Sequence, residues 1–257
     1  VSDRIDVRYY RQAEHYFFSA IALKTLDLAD GVHAYATGEA GINLIYIQEN
    51  TGSLGSMLLQ AKQFYDQDAS SFEVIIPEQS CTAAVEAMFD AMGAVQTGRS
   101  VAMMLDLERW TVDRTVDLDD ETVIQGNDDR LNEWMLPLIS AFASTRENCS
   151  VYAAAHEAAL RKNTNLRHIS LYKNNVPIAS SSLSMHDSIA RIDDVATCMA
   201  YQGRGYATAL MRYTISEAKQ GGARYCFLES SDLGLGLYLR LGFKPLFTNI
   251  LYRMERA

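Results

Sequence analysis

Cysteine is scarce in this chain. The four thiols, Cys81, Cys149, Cys198 and Cys226, form no C-x-x-C pair and have no histidine at ligand spacing. That excludes a disulfide frame and a structural zinc site, so no metal is expected, and it points to buried free thiols in a reducing, cytoplasmic setting. Apolar runs long enough to cross a bilayer are missing, and the chain does not open on a charged-then-apolar leader, so neither a membrane partner nor a signal peptide is expected. Basic charge is short in one half only. Residues 1–118 hold 8 Lys and Arg against 17 Asp and Glu, residues 119–257 hold 15 of each, and the net charge is -9. A nucleic-acid partner needs a basic face, and the first half offers the opposite sign.

What is present is the composition of an ordinary globular protein, 257 residues with 48% hydrophobic and 21% charged, enough for one large domain or two small ones. The second half alternates elements. "ETVIQGND" reads as a short strand, "DRLNEWMLPLISAFA" as one helix and "CSVYAAAHEAALRK" as another. Three strands follow within residues 166–199, with hairpin turns at "NN" and "MHDS". A helix over Tyr206–Lys219 stops at Gly221–Gly222. Then come the strand "ARYCFLES", the short helix "LGLGLYLRLG" and a last strand "NILYRME".

The first half repeats the end of that order. "INLIYIQENTGSLGSMLLQAKQFYD" is strand, turn and helix, and "FEVIIPEQ", "CTAAVEAMFDAMG" and "SVAMMLDLE" are strand, helix and strand. Placing Ser53-Leu54-Gly55 on Gly205-Tyr206-Ala207 gives an offset of 152, and placing Phe89–Gly93 on Tyr238–Gly242 gives 149. Such order without a short period indicates duplication. The polar stretch "TVDRTVDLDD" (Thr111–Asp120) is the expected linker, with one domain at 1–116 and the other at 117–257. Mixed strands and helices give an α/β or α+β layer structure.

The segment "QGRGYATALM", Gln202 to Met211, places two glycines at the mouth of a helix. Backbone N–H groups freed there, together with the helix dipole, hold an anion without a lysine. Gly203 and Gly205 permit close approach, Arg204 adds charge, Ala207 is small and Thr208 offers a hydroxyl. A dinucleotide fingerprint is the competing reading, since Glu229 ends the next strand. Thr208 at the third small position and the paired aspartates of "RIDDVATCM" count against it.

A second motif decides between them. Gln202-Gly203-Arg204-Gly205-Tyr206-Ala207 fits the acetyl-CoA signature Gln/Arg-x-x-Gly-x-Gly/Ala, and Leu237-Tyr238-Leu239-Arg240-Leu241-Gly242-Phe243 fits a late "LYxxxGF". On these two motifs the chain resembles the GNAT superfamily of N-acetyltransferases, over the whole second half and in outline over the first. The resemblance implies two GNAT-like domains, each a mixed, mostly antiparallel sheet flanked by helices, and acetyl-CoA as cosubstrate. Gly203 to Thr208 would hold the pyrophosphate. Val195, Ala196 and Thr197 would pair with the pantetheine arm and polarise the acetyl carbonyl. Ser231, a further candidate CoA contact, and Gly234 stand where many members carry Asn and Ala.

The reaction so implied is direct attack of a primary amine, on a small molecule or a peptide, on the thioester. Tyr238 matches the family's general acid. Glu229, or Asp193 on the strand parity of Val195 and Thr197, is the candidate base. His156, on an amphipathic helix, and His186, in a turn, rank below them. The Ser180–Ser182 run reads as strand surface. In the first half Gln202 aligns with Asn50, Gly205 with Ser53 and Tyr238 with Phe89, which cannot donate a proton. That half is expected to be a degenerate wall or lid whose acidity attracts cations. The alternatives are a longer acyl-CoA donor, or a CoA-binding or interaction module without turnover. Pairing between the two halves favours a monomer.

Overall fold

The computed structural model describes the chain except residues 1, 29–30, 39–41, 49–52, 66–70, 112–117 and 256–257, together with the side chains of 2–5. The expected 116/117 boundary and Asn50 therefore lie outside the described residues.

The elements run α1 (Ser2–Ile21), β1 (Lys24–Leu28), β2 (Val32–Ala36), β3 (Asn43–Ile47), α2 (Leu54–Tyr65), β4 (Ser71–Pro77), α3 (Ala83–Ala91) and β5 (Val95–Asp106). The second half continues with β6 (Thr122–Gly126), α4 (Leu131–Trp134), α5 (Leu136–Ala141), α6 (Arg146–Arg161), β7 (Leu166–Lys173), β8 (Val176–His186), β9 (Ile189–Thr197), α7 (Tyr206–Gln220), β10 (Tyr225–Ser230), α8 (Asp232–Arg240) and β11 (Lys244–Glu255). Both halves follow one plan. β1-β2-β3 and β7-β8-β9 are antiparallel meanders, and β4 and β10 each return parallel to the third strand after a helix. Helices α3 and α8 start 149 residues apart (83 and 232), as do strands β5 and β11 (95 and 244).

The eleven strands among the described residues make one sheet, in the order β1-β2-β3-β4-β11-β5-β10-β9-β8-β7-β6. The last strands are exchanged. β5 of the first half pairs antiparallel with β10 of the second, and β11 of the second half pairs antiparallel with β4 of the first. β5 and β11 also pair with each other. Register alternation puts α2, α3, α7 and α8 on one face of the sheet and α1 with α4–α6 on the other, each over its own apolar layer.

Two segments depart from the sequence reading. The single helix expected over residues 129–143 is broken at Met135, because Pro137 in the first turn of α5 cannot continue α4: its ring meets the carbonyl of the preceding turn. The serine run is core instead of surface. Ser180, Ser181 and Ser182 are fully buried because β8 is covered on both faces, and Ser181 Oγ meets Thr214 Oγ1 of α7 at 2.9 Å. Of the four free thiols only Cys149 and Cys226 are buried; Cys81 and Cys198 are half-buried. Among the described residues no helix is long and apolar enough to cross a membrane.

The exchange makes the halves interdependent. Expressed separately, residues 1–111 and 118–257 should each be insoluble or unfolded, since β4 and β10 would each lose a neighbour. Co-expressed, they should recover as a 1:1 folded complex, checked by co-purification and circular dichroism.

Candidate active site

After β9 a single tight turn (Met199–Tyr201) leads into the glycine loop. Gly203 (φ 74°) and Gly205 (φ 87°) are left-handed, a conformation glycine adopts without Cβ strain. Gly205 is the N-cap of α7 and offers no side-chain acceptor, so the N–H groups of the first turn stay free for an incoming anion. Gln202, Gly203, Gly205, Tyr206, Ala207 and Thr208 line a cleft of ≈ 270 Å³ with Thr197, Tyr201, Leu237 and Arg240. Arg204 is exposed, its guanidinium 5.8 Å from the Tyr201 ring centre. The Gln202 side-chain amide donates to the Thr197 carbonyl at 3.0 Å, tying the loop to the end of β9. Thr197 Oγ1 is buried without a partner beside the same cleft.

Strand β9 carries a bulge. Ser180 faces Ala196 but Ser182 faces Asp193, so Asp194 and Val195 share one place in the ladder and Asp194 takes φ 57°. The bulge breaks the two-residue alternation expected to put Asp193 with Val195 and Thr197. On the other side, β10 pairs with β9 only from Tyr225↔Ile189 to Phe227↔Arg191, and beyond that the strands part. Cys198 N–H donates to Ile178 of β8, so alternation aims the Thr197 amide into the gap, beside the glycine cleft. A free strand edge and a helix start thus converge, which suits an extended amide-bearing arm ending in a phosphate.

Tyr238 sits on α8, 7% exposed, and its hydroxyl makes no hydrogen bond among the described residues. Burial, reinforced by Asp193, raises its phenol well above the usual tyrosine range. Gly234 makes room for the ring, since a Cβ there would lie 2.8 Å from Tyr238 Cε2. The helix closes on left-handed Gly242 (φ 97°), with Phe243 N–H bonded to the Tyr238 carbonyl and Gly242 N–H to that of Leu239. Gly93 ends α3 in the same way, with Ala94 N–H on the Phe89 carbonyl, and Phe89 is buried against Tyr252. Ser231 caps α8 without a side-chain bond, is exposed, and does not line the cleft.

Glu229 and Asp193 come together, but in a buried node. Both surround the guanidinium of Arg191, which is 1% exposed. Asp193 takes both contacts from Arg191 Nε (2.9 and 3.1 Å), and Glu229 lies 3.9 Å from Arg191 Nη2. Glu229 also accepts from Tyr10 (3.2 Å), Tyr46 (3.1 Å), Asn249 (2.8 Å) and Ser100. Of these four donors only Asn249 belongs to the second half. They saturate the carboxylate, so its lone pairs are engaged in holding strands. Sequence reasoning missed this environment because α1, which brings Tyr10 and Glu14, carries polar residues on its buried face.

A second cleft of ≈ 380 Å³ opens at the bulge, lined by Ile42, Leu138, Phe142, Ser144, Asn148, Cys149, Tyr152 and Asp194. A larger cleft, ≈ 700 Å³, lies elsewhere, against Asp106, Arg109, Trp110 and Lys244, and contains none of the predicted site residues.

A sequence profile described as the Acetyltransferase (GNAT) family matches residues 131–243, which hold the glycine loop, the bulge and Tyr238. Over that stretch the chain is similar to the GNAT family. No curated protein matches the chain in sequence. Among solved structures, a GCN5-related N-acetyltransferase from Kribbella flavida is 12% identical with TM-score 0.62, covering 95% of each chain. A tandem GNAT protein from the clavulanic acid biosynthesis pathway is 15% identical with TM-score 0.60, covering 88% of this chain and 78% of that one. A GCN5-related N-acetyltransferase from Sphaerobacter thermophilus is 15% identical with TM-score 0.63, covering 88% of this chain and 77% of that one. At these identities the likeness is one of fold, and it extends over both GNAT-like halves.

A buried carboxyl of α1 lies in the field of the same node. Glu14 is 2% exposed, and burial pushes its carboxyl from 4.5 up to about 8, with Glu229 raising it further and Arg191 opposing. A carboxyl raised in the folded state leaves stability intact below about pH 4.5 and erodes it as pH climbs towards 8. Glu14→Gln should flatten that slope and raise Tm most at pH 8, by an amount on the order of a few kcal/mol in stability, measured by calorimetry across pH 5–8.

Proposed function

We propose that the protein transfers an acetyl group from acetyl-CoA to a primary amine, the second half carrying the chemistry and the first half walling the site. The observation that carries this reading is the convergence of the left-handed glycine start of α7 with the free edge of β9, in one cleft that Leu237 and Arg240 of α8 also line. Gly203 to Thr208 would hold the pyrophosphate on their amides, with Arg204 in solvent reach of it. The Thr197 amide would face the acyl arm, with Val195 and Ala196 beside it, an N–H donor fixed before charge develops. Bound acetyl-CoA supplies the activated acyl group.

Tyr238 suits the role of acid. Its phenol, raised by burial, stays protonated through neutral pH, and its neighbour Leu237 lines the cleft, although Tyr238 itself does not. Glu229 is better read as a strand clamp than as a base, because four donors already occupy it. Asp193 is paired with Arg191 in the same node. The acceptor cleft has apolar walls with Asp194 at one side, which favours a cationic amine on an apolar body.

Tyr238→Phe tests the assignment. Acetyl transfer should fall by roughly 10²-fold in kcat while acetyl-CoA affinity changes less than about twofold. A mutant with the wild-type rate across the pH range would remove Tyr238 from the reaction.

A further inference from the structure

Behind the acceptor cleft a line of polar side chains crosses the apolar layer under α6, and no role above uses it. Asp194 Oδ1 accepts from the Tyr152 hydroxyl at 2.9 Å. Its Oδ2 is buried, has no hydrogen-bond partner, and stands 3.9 Å from His156 Nε2, which is equally buried and unpartnered. His156 Nδ1 lies 2.8 Å from His168 Nε2, and His168 Nδ1 lies 2.9 Å from Asp128 Oδ1. Both rings are fully buried, whereas the Asp128 side chain is 48% exposed.

The far end sets the tautomers. An ionised Asp128 only accepts, so His168 carries its proton on Nδ1 and turns a lone pair towards His156. His156 then carries its proton on Nδ1, leaving Nε2 bare towards the equally bare Asp194 Oδ2. Two buried acceptors facing each other across 3.9 Å are a place for one proton, carried by either group and passed between them when the side chains close to hydrogen-bond distance.

We propose that His156 and His168 form a proton path from Asp194 in the acceptor cleft to Asp128 at the surface. The path rests on the amine-acetylation reading for its cargo. An alkylammonium cannot attack until it loses a proton, and ammonium plus thioester gives amide, thiol and one proton. That proton passes from nitrogen to Asp194, and from Asp194 to His156 Nε2 as His156 Nδ1 releases its own to His168 Nε2. His168 Nδ1 then releases to Asp128, which hands the proton to water. Each imidazole gains one N–H bond and loses another, and a half-turn of both rings restores the start. The geometry is matched by the surroundings. Burial, with Asp193 beside it, holds the Asp194 carboxyl at about 7, and burial keeps both histidines neutral. The charged or titratable groups facing the path are Asp193 and Arg191 from β9, Tyr152 from α6 and Asp128; α1 and α4 present the uncharged Phe17 and Trp134.

The test is acetyl transfer to 2-phenylethylamine from pH 6 to 9, with histidine ¹⁵N spectra of the same proteins. His156→Gln should lower kcat at pH 7 by about tenfold or more without changing the KM for acetyl-CoA, the deficit shrinking towards pH 9 as more amine arrives neutral. Asp128→Asn, at the surface and compatible with folding, should act in the same direction more weakly. In the spectra, His156 and His168 should shift together as Asp194 titrates, and Asp194→Asn should abolish that shift. Variant pH profiles parallel to wild type, or histidines that ignore Asp194, would overturn the path. Coupled histidine shifts without transfer to any amine would retire the amine reading and leave the proton path standing.

Discussion

The backbone ladders between β5 and β10, and between β11 and β4, are the constraint on which the rest of the structure depends. Each half completes the other's sheet, so among the described residues two similar units become one eleven-stranded surface, opened where β9 and β10 part. The crossing brings Ser100 of β5 and Asn249 of β11 opposite one another, both within reach of Glu229 on β10. A half standing alone would have β10 but not the groups that hold its carboxylate. The exchange is therefore what lets a first half with Phe89 in the place of Tyr238 still shape the second half's interior.

Arg191 extends that coupling through the sheet. Taking a guanidinium fully out of water costs several kcal/mol unless it is paired, and here Asp193, Glu229 and the rings of Tyr10 and Phe18 surround it. Two of those partners lie on α1, so the N-terminal helix is pinned over the place where β9 and β10 part. The parting needs such a clamp. Strands that diverge leave backbone groups unpaired, and the bulge at Asp194 adds a left-handed aspartate. The node beneath holds Arg191 between Asp193 and Glu229, and the edge of β9 above it is left open.

Much of this was legible in the sequence, and the parts that were not share a cause. The glycine loop, the helix it opens, the hairpins at Asn174-Asn175 and Asp187 and the glycine that ends α8 are local devices, each requiring residues suited to positive φ. The duplication was legible because α3 and α8 keep the same terminal turn, with Phe89 where Tyr238 stands. Helix α1 was not, since Tyr10 and Glu14 interrupt its apolar face to serve the buried node. The strand exchange was hidden because β5 alternates in the same way whichever neighbour it takes. Asp194 gives no local sign of its bulge, and His156 and His168 meet only because a helix packs across a strand. Contacts made between distant elements leave no period to read.

The account stands on one working acyl site in a chain whose halves share a sheet. Calorimetric titration of acetyl-CoA into the intact protein tests it most directly, repeated with Gly205→Val. The account predicts one equivalent bound by the wild type and none by the variant, because a β-branched residue resists the left-handed turn that frees the amides of α7. Two equivalents, or one that survives the substitution, would contradict it.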